Sequence, residues 1–391
     1  MFFVNNTFVR SREYRPLVPW IAFFAAGVPA TAEVLTNSPA LPSIVQPSAG
    51  EQAWNWHVQN TDIAQGDSGF PAKYSGPNSL PDGGEIRETV SLDLYTGIRL
   101  WPGVEAHLDG LMWQGFGIGN ALGADGLPNG EAFRLGTSEP NVNIPRLFVR
   151  QTIGFGGEQE KVEDDPFTLA GTRDISRITL TLGKFSVKDV FDNNAYANDP
   201  RTQFLNWTLM ANEAWDYPAD ALGYTTGFAA EFNQPTWTLR YGFFQMPRVS
   251  NGTALDQHFL KARGTVTELE RRYSISRHPG VIRFLGFLNH ADMGSYRAAL
   301  SVPGTDITPT RAYRWKYGIG LNWEQEIASN VGVFSRVGWS DGQNEAWAFS
   351  DVDRAATAGG SVKGQFWHRP DDTLGLAGAY NGVSWVHREF F

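Results

Sequence analysis

Long stretches of this chain alternate apolar and polar residues one by one, over more positions than a soluble strand uses. Between residues 89 and 101, Val90, Leu92, Leu94, Ile98 and Leu100 share one parity, and Ser91, Asp93, Tyr95 and Arg99 share the other. Successive side chains of a strand point to opposite faces, so this is a strand with one apolar face. Pro102 and Gly103 supply a tight turn, after which Val104, Ala106, Leu108 and Met112 alternate with Glu105, His107, Asp109 and Trp113. The pattern returns at residues 177–182, 237–243, 313–324 and 331–339. Soluble strands average about five or six residues, whereas a strand crossing hydrocarbon needs about nine to eleven. Length therefore selects an all-β transmembrane antiparallel barrel over a secreted sandwich or propeller.

About thirteen such segments are read, near 53–62, 87–101, 103–116, 144–154, 174–185, 223–233, 236–247, 258–273, 280–290, 313–325, 329–340, 355–368 and 373–386. Helical periodicity is sustained nowhere, and no run after the N-terminal segment approaches the eighteen or so apolar residues of a spanning helix. Charged residues are 19% of the chain, against roughly 25% in soluble domains. Half of each barrel strand faces a wet lumen, which accounts for a chain that is membrane-bound without being greasy. On the strand 313–323, Tyr313, Trp315, Tyr317 and Trp323 flank Ile319 and Leu321, as in the aromatic girdles of spanning barrels. There are no cysteines, which rules out disulfides, thiol nucleophiles and Cys-based metal sites and suits export through an oxidising compartment. A formal net charge of -9 gives no reason to expect nucleic acid as a partner.

The N-terminus has the layout of a secretory signal. Arg10, Arg12 and Arg15 precede an apolar stretch over 17–29, and Ala30-Thr31-Ala32 forms a cleavage site. Residues 1–32 are read as this signal, 33–52 as a flexible periplasmic lead-in rich in Pro, Ser, Ala and Thr, and 53–391 as the barrel.

Two connections stand out for length, 117–143 and 186–222. Long structureless loops in compact proteins tend to be functional, and 186–222 is the candidate for an inward loop that narrows a channel. Asp192, Asn194, Trp207 and Trp215 are its candidate constriction residues. Asp192-Asn193-Asn194 looks like the start of a calcium loop, but Ala197 and Gln203 stand where an EF-hand needs Gly and Glu; a polar loop is the better reading, and no metal or cofactor is expected. Enzyme signatures are missing as well, with no H-E-x-x-H, nucleophile elbow or P-loop. Glu324 and Glu326 share one strand face beside a turn and are read as wall charges rather than a glycosidase pair.

The charges of the polar faces carry the functional expectation. Arg99, Arg150, Arg177, Arg240, Arg283, Arg314, Lys316, Arg336 and Lys363, with Glu268, Glu270 and Glu324, fall on the polar parity of their strands. A charge on the lipid face near midplane costs about 2–4 kcal/mol, so these side chains belong inside. Arginine forks donate to hydroxyls and carboxylates accept from them, which is the chemistry of a sugar track. Arg99, Arg150 and Arg240 lead the candidates for a constriction, followed by Arg177, Arg283, Arg336, Glu268 and Glu324. The alternative for each is a charge that orders water and braces the wall.

Several stretches resemble one family in order along the mature chain. They are Trp54-Asn55-Trp56-His57 with Gln59, Tyr74-Ser75-Gly76-Pro77-Asn78-Ser79-Leu80, and Leu182-Gly183-Lys184-Phe185 followed by Asp192-Asn193-Asn194 and Asp199-Pro200-Arg201-Thr202-Gln203-Phe204. Gly223-Tyr224-Thr225-Thr226-Gly227, Trp323-Glu324-Gln325-Glu326 and Gly338-Trp339-Ser340-Asp341-Gly342 follow. Together these resemble the carbohydrate-selective porins of OprB type. The resemblance implies a sixteen-stranded outer-membrane barrel of a Gram-negative bacterium, inserted by the barrel-assembly machinery, that passes glucose and related sugars by diffusion. It also implies an inward loop and a charged constriction, and it allows a homo-oligomer. Family chains continue past the point matching residues 387–391, so the last strands are expected to be missing here, with a barrel that cannot close as the alternative to a working channel. Polysaccharide export through the same wall chemistry is a further alternative.

Overall fold

The computed structural model describes residues 50–391 apart from 77–78, 133–134 and 349–350, together with the backbone of 3–10. The apolar stretch and cleavage site read as an export signal, and most of the segment read as a lead-in, lie outside the described residues. The strands in chain order are β1 Phe3–Arg10, β2 Trp54–Asp67, β3 Glu85–Trp101, β4 Val104–Gly115, β5 Thr137–Gly154, β6 Gln159–Val162, β7 Gly171–Asp174 and β8 Arg177–Phe185. They continue as β9 Thr225–Gln234, β10 Trp237–Gln245, β11 Arg263–Ile275, β12 His278–Met293, β13 Ala312–Ala328, β14 Val331–Ser340, β15 Arg354–Lys363 and β16 Thr373–Gly382.

All but β6 and β7 belong to one 14-stranded sheet in which chain neighbours pair, up and down, from β1 to β16. From Trp54 onward that sheet has the thirteen strands that alternation predicts. β6 and β7 form a separate hairpin inserted between β5 and β8; no strand is expected there from the sequence. Several boundaries also differ. β5 begins at Thr137 rather than near 144, which shortens the connection read as 117–143. β15 ends at Lys363, where a turn of 3-10 helix takes over. The last segment leaves the sheet after Gly382, because the Ser384 side chain accepts from His387 N and caps a short helix, Trp385–Phe390.

The two ends of the wall differ, as they do in spanning barrels. At one end β3–β4, β9–β10, β11–β12 and β13–β14 are joined by the short turns 102–103, 235–236, 276–277 and 329–330. At the other end the connections 68–84, 116–136, 186–224, 246–262, 294–311 and 341–353 are long. The short-turn end is the periplasmic one by the convention of such barrels.

Burial along the strands is inverted relative to a soluble protein. Leu182 is 66% exposed, and Leu92, Leu94, Leu239, Phe284, Trp315 and Leu321 are exposed with it, while Asp93, Glu268, Lys316 and Arg336 are buried. Exposed apolar side chains in this number suit hydrocarbon and not water. The sheet also curls back on itself, since one connection reaches strands toward both of its ends. In loop 186–224, Arg201 pairs with Asp93 of β3 at 3.0 Å, and the Thr208 hydroxyl accepts from Asn381 of β16 at 3.0 Å.

Candidate functional site in the lumen

The inward side of the wall holds two belts of charge, both built by strand register. In the first, Arg99 of β3 stands opposite Glu105 of β4, and Glu105 stands opposite Arg150 of β5. Arg99 Nη1 lies 3.3 Å from Glu105 Oε1, and Arg99 Nε donates to Gln52 O at 3.0 Å. Arg150 Nη1 donates to Phe167 O at 2.7 Å. Nearby, Arg177 Nη1 pairs with Glu160 of the β6–β7 hairpin at 2.9 Å. These three arginines sit toward the short-turn end, held by the segment 155–176 rather than by loop 186–224.

The second belt crosses β9 to β14. Arg240 pairs with Glu231 at 2.9 Å, Glu268 at 2.8 Å and Glu270 at 3.0 Å. Arg283 pairs with Glu270 at 2.9 Å and Glu324 at 3.1 Å. Arg283 faces Asn322 across β12–β13, and Asn322 faces Arg336 across β13–β14. Of the remaining polar-parity cations, Lys316 is buried, lying 3.9 Å from Asp216 of loop 186–224, Arg314 Nη2 donates to Thr310 O at 3.1 Å, and Lys363 is exposed at the short-turn rim.

Loop 186–224 docks on the second belt. Asp192 is its key: Oδ1 accepts from Arg336 Nε at 3.0 Å and Asn322 Nδ2 at 2.7 Å, and Oδ2 accepts from Asn212 N at 2.7 Å and lies 3.2 Å from Lys188 Nζ. Burial opposes ionisation of Asp192, but the Arg336 and Lys188 cations outweigh it and hold the carboxyl at about 2. Both oxygens are thus committed to protein donors. The backbone amides of Asp192 and Ala195 donate to Glu268 and Glu324, each at 2.7 Å, and Asn194 Nδ2 donates to Asn322 Oδ1 at 2.8 Å.

Apolar packing completes the dock. Val187, Val190, Phe191, Trp215 and Tyr217 of the loop are buried with Phe148, Phe185, Phe244, Leu285 and Phe287 from the inward face of the wall. Trp207, half-buried at the start of the short helix Trp207–Met210, packs against this cluster. The inward face is therefore not uniformly polar. It also offers sockets. A Cβ at Gly338 or Gly320 would collide with the Asn212 side chain, and one at Gly332 with Tyr196, so the loop seats where the wall lacks side chains.

Two inward arginines outside the sequence-based candidates matter as much. Arg146 makes a two-point contact with Asp189 at 2.8 and 2.9 Å, donates to Asp109 at 2.9 Å, and stacks over Phe167 and Tyr224 at 4.4 and 4.9 Å. Arg201 bridges Asp93 at 3.0 Å and Glu131 at 2.9 Å and donates to Gln59 and the Tyr95 hydroxyl. Arg146 shares the parity of Arg150, so its inward position is readable; Arg201 stands in a loop where parity has no meaning.

A family model for carbohydrate-selective porins, OprB family, matches residues 78–390. Among solved structures, Pseudomonas putida OprB at high pH aligns with a TM-score of 0.59 at 16% identity, covering 87% of this chain and 77% of that chain, and shows the same fold. Pseudomonas aeruginosa OccK2 (OpdF) aligns at 0.36 and 11% identity, covering 84% of this chain and 79% of its own. Salmonella typhi OmpF in complex with daunomycin aligns at 0.35 and 7% identity, covering 85% and 100%. No curated protein matches the sequence.

Proposed function

The chain belongs to the OprB family of carbohydrate-selective porins, outer-membrane β-barrels of Gram-negative bacteria, and we propose that it passes glucose and related sugars by passive diffusion between loop 186–224 and the charged wall. It is a channel in this reading, with no reacting group to supply. The observation that carries the reading is the inversion of burial along most of the long strands, with apolar residues outward and paired charges inward around a folded-in loop. A lumen of arginine forks beside carboxylates presents donors and acceptors in alternation, which suits hydroxyl groups. Diffusion down a gradient needs nothing more.

Arg99, Arg150 and Arg240 remain the residues proposed to meet the solute. Arg240 is tied to three carboxylates and acts mainly by holding Glu268, which holds Asp192. Arg99 and Arg150 flank Glu105 on the inward face at the short-turn end. The test is single-channel recording of Arg99→Ala, Arg150→Ala and Arg240→Ala, scoring sugar block of the ion current and ion selectivity. At least one of the two readouts shifts for each variant; unchanged block and selectivity in all three would remove these arginines from the pathway.

A further inference from the structure

The segment 155–176, inserted between β5 and β8, is not a free periplasmic turn. It folds back into the short-turn end of the barrel and is pinned there by wall side chains. Asn55 Nδ2 donates to Asp164 Oδ1 at 2.8 Å and to Asp165 O at 3.0 Å, and the buried His57 ring lies 3.1 Å from Asp164. Gln52 and Ala170 exchange hydrogen bonds at 2.8 and 2.9 Å, while Arg99 and Arg150 donate to Ala170 O and Phe167 O.

Between this segment and the ends of β3, β4 and β5 lies a cavity of about 190 Å³. Its charged lining is Arg99, Arg150 and Arg173 against Glu51, Glu105 and Asp174, three formal charges of each sign. The site is preorganised. Arg99 is 8% exposed, and its fork is fixed by Gln52 O, Ala170 O and Glu105. Glu105 Oε2 is also held by His107 Nε2 at 3.3 Å. Gly171 has no side chain to cover Arg99; a Cβ there would stand 3.6 Å from Nη2. Arg150, with Nη1 on Phe167 O and its guanidinium over the Phe148 ring, also lines the cavity.

We propose that this cavity is an exit subsite that binds one neutral monosaccharide, with segment 155–176 as its periplasmic wall. The proposal rests on the sugar-channel reading and adds a place and a specificity to it. Balanced charge argues for an uncharged solute, since an anion meets Glu51, Glu105 and Asp174 as well as the arginines. The interleaving of donors and acceptors argues for a polyol. The small volume argues for a single ring, because pockets for larger ligands run upward from about 300 Å³.

The chain has no cysteine, so Thr172→Cys places a unique thiol on the cavity wall with little disturbance. In the reconstituted full chain, labelling of this thiol by a small methanethiosulfonate reagent is timed without sugar, with glucose and with gluconate. Glucose slows labelling severalfold and gluconate far less. Equal protection by gluconate overturns the neutral-solute assignment; no protection by glucose, at concentrations that block the ion current, overturns the subsite. Protection without any current block or sugar flux sinks the channel reading and leaves the subsite standing. A second arm uses Glu105→Gln and Arg150→Met, with barrel integrity checked by the shift in gel mobility on boiling. Each raises the glucose concentration for half-maximal block about tenfold when sugar is added from the short-turn side; an unchanged value in both intact variants also refutes the subsite.

Discussion

Replacing Asp192 by alanine tests whether ion pairing holds loop 186–224 in the lumen. The carboxylate receives Arg336, Asn322 and the Asn212 amide and faces Lys188, and Arg336 is 2% exposed. Asp192→Ala leaves both cations buried without their counter-charge. Breaking a buried pair by removing one partner costs about 3–5 kcal/mol. Since about 1.4 kcal/mol is tenfold, the balance between docked and released loop moves by roughly two to three and a half powers of ten. The aromatic contacts of Phe191, Trp215 and Tyr217 remain, so release is partial and the barrel stays folded. Single-channel recording then shows a larger mean conductance and stepwise flicker as the loop leaves and returns. Asp192→Asn keeps the shape and some hydrogen bonds and shows a smaller effect. Arg336→Met combined with Asp192→Ala recovers part of the wild-type trace, because only Lys188 is then left without its counter-charge. A quiet, wild-type conductance from Asp192→Ala in a barrel that still shifts on boiling would refute the reasoning.

Gly338→Val should act by shape alone, since the new side chain occupies the space of Asn212; overpacking of about 1–3 kcal/mol raises conductance noise without changing ion selectivity, and an unaltered trace would deny the socket. Leu182→Arg puts a charge on a 66% exposed, outward position, and the cost of about 2–4 kcal/mol near midplane lowers the yield of folded barrel in lipid; normal assembly would contradict the lipid-facing assignment. Asp192 is held at about 2, below its unfolded value of about 3.9. Its stabilisation is therefore complete above that unfolded value and lost only as pH falls through about 2. Burial pushes the Lys188 ammonium down to about 8, so loop-dependent conductance stays level from about pH 7 to about pH 5, and a step within that range would show that another group controls the loop.

The wall was legible because parity is a local property. Leu92 and Leu94 point out and Asp93 points in for no reason beyond the pleat, and the same count placed Arg240, Arg283 and Arg336 inside. Their partners were not legible. Asp192 and Arg336 are 144 residues apart, and their meeting depends on how far a loop without periodicity reaches. The inward aromatics Phe148, Phe185, Phe244 and Phe287 were hidden for the opposite reason. They follow the inward parity but are apolar, so they read as lapses in the pattern until Phe191 and Trp215 are seen packing on them. The hairpin β6–β7 is not legible in the sequence because each strand has only four residues, too few for alternation to register.

The most direct test of the whole account is swelling of proteoliposomes containing this chain, in an isosmotic gradient of glucose, beside protein-free liposomes of the same lipid. The account predicts swelling that depends on protein amount and falls steeply for larger oligosaccharides, from a preparation whose gel band shifts on boiling. A heat-modifiable barrel that gives glucose no faster entry than lipid alone would contradict it.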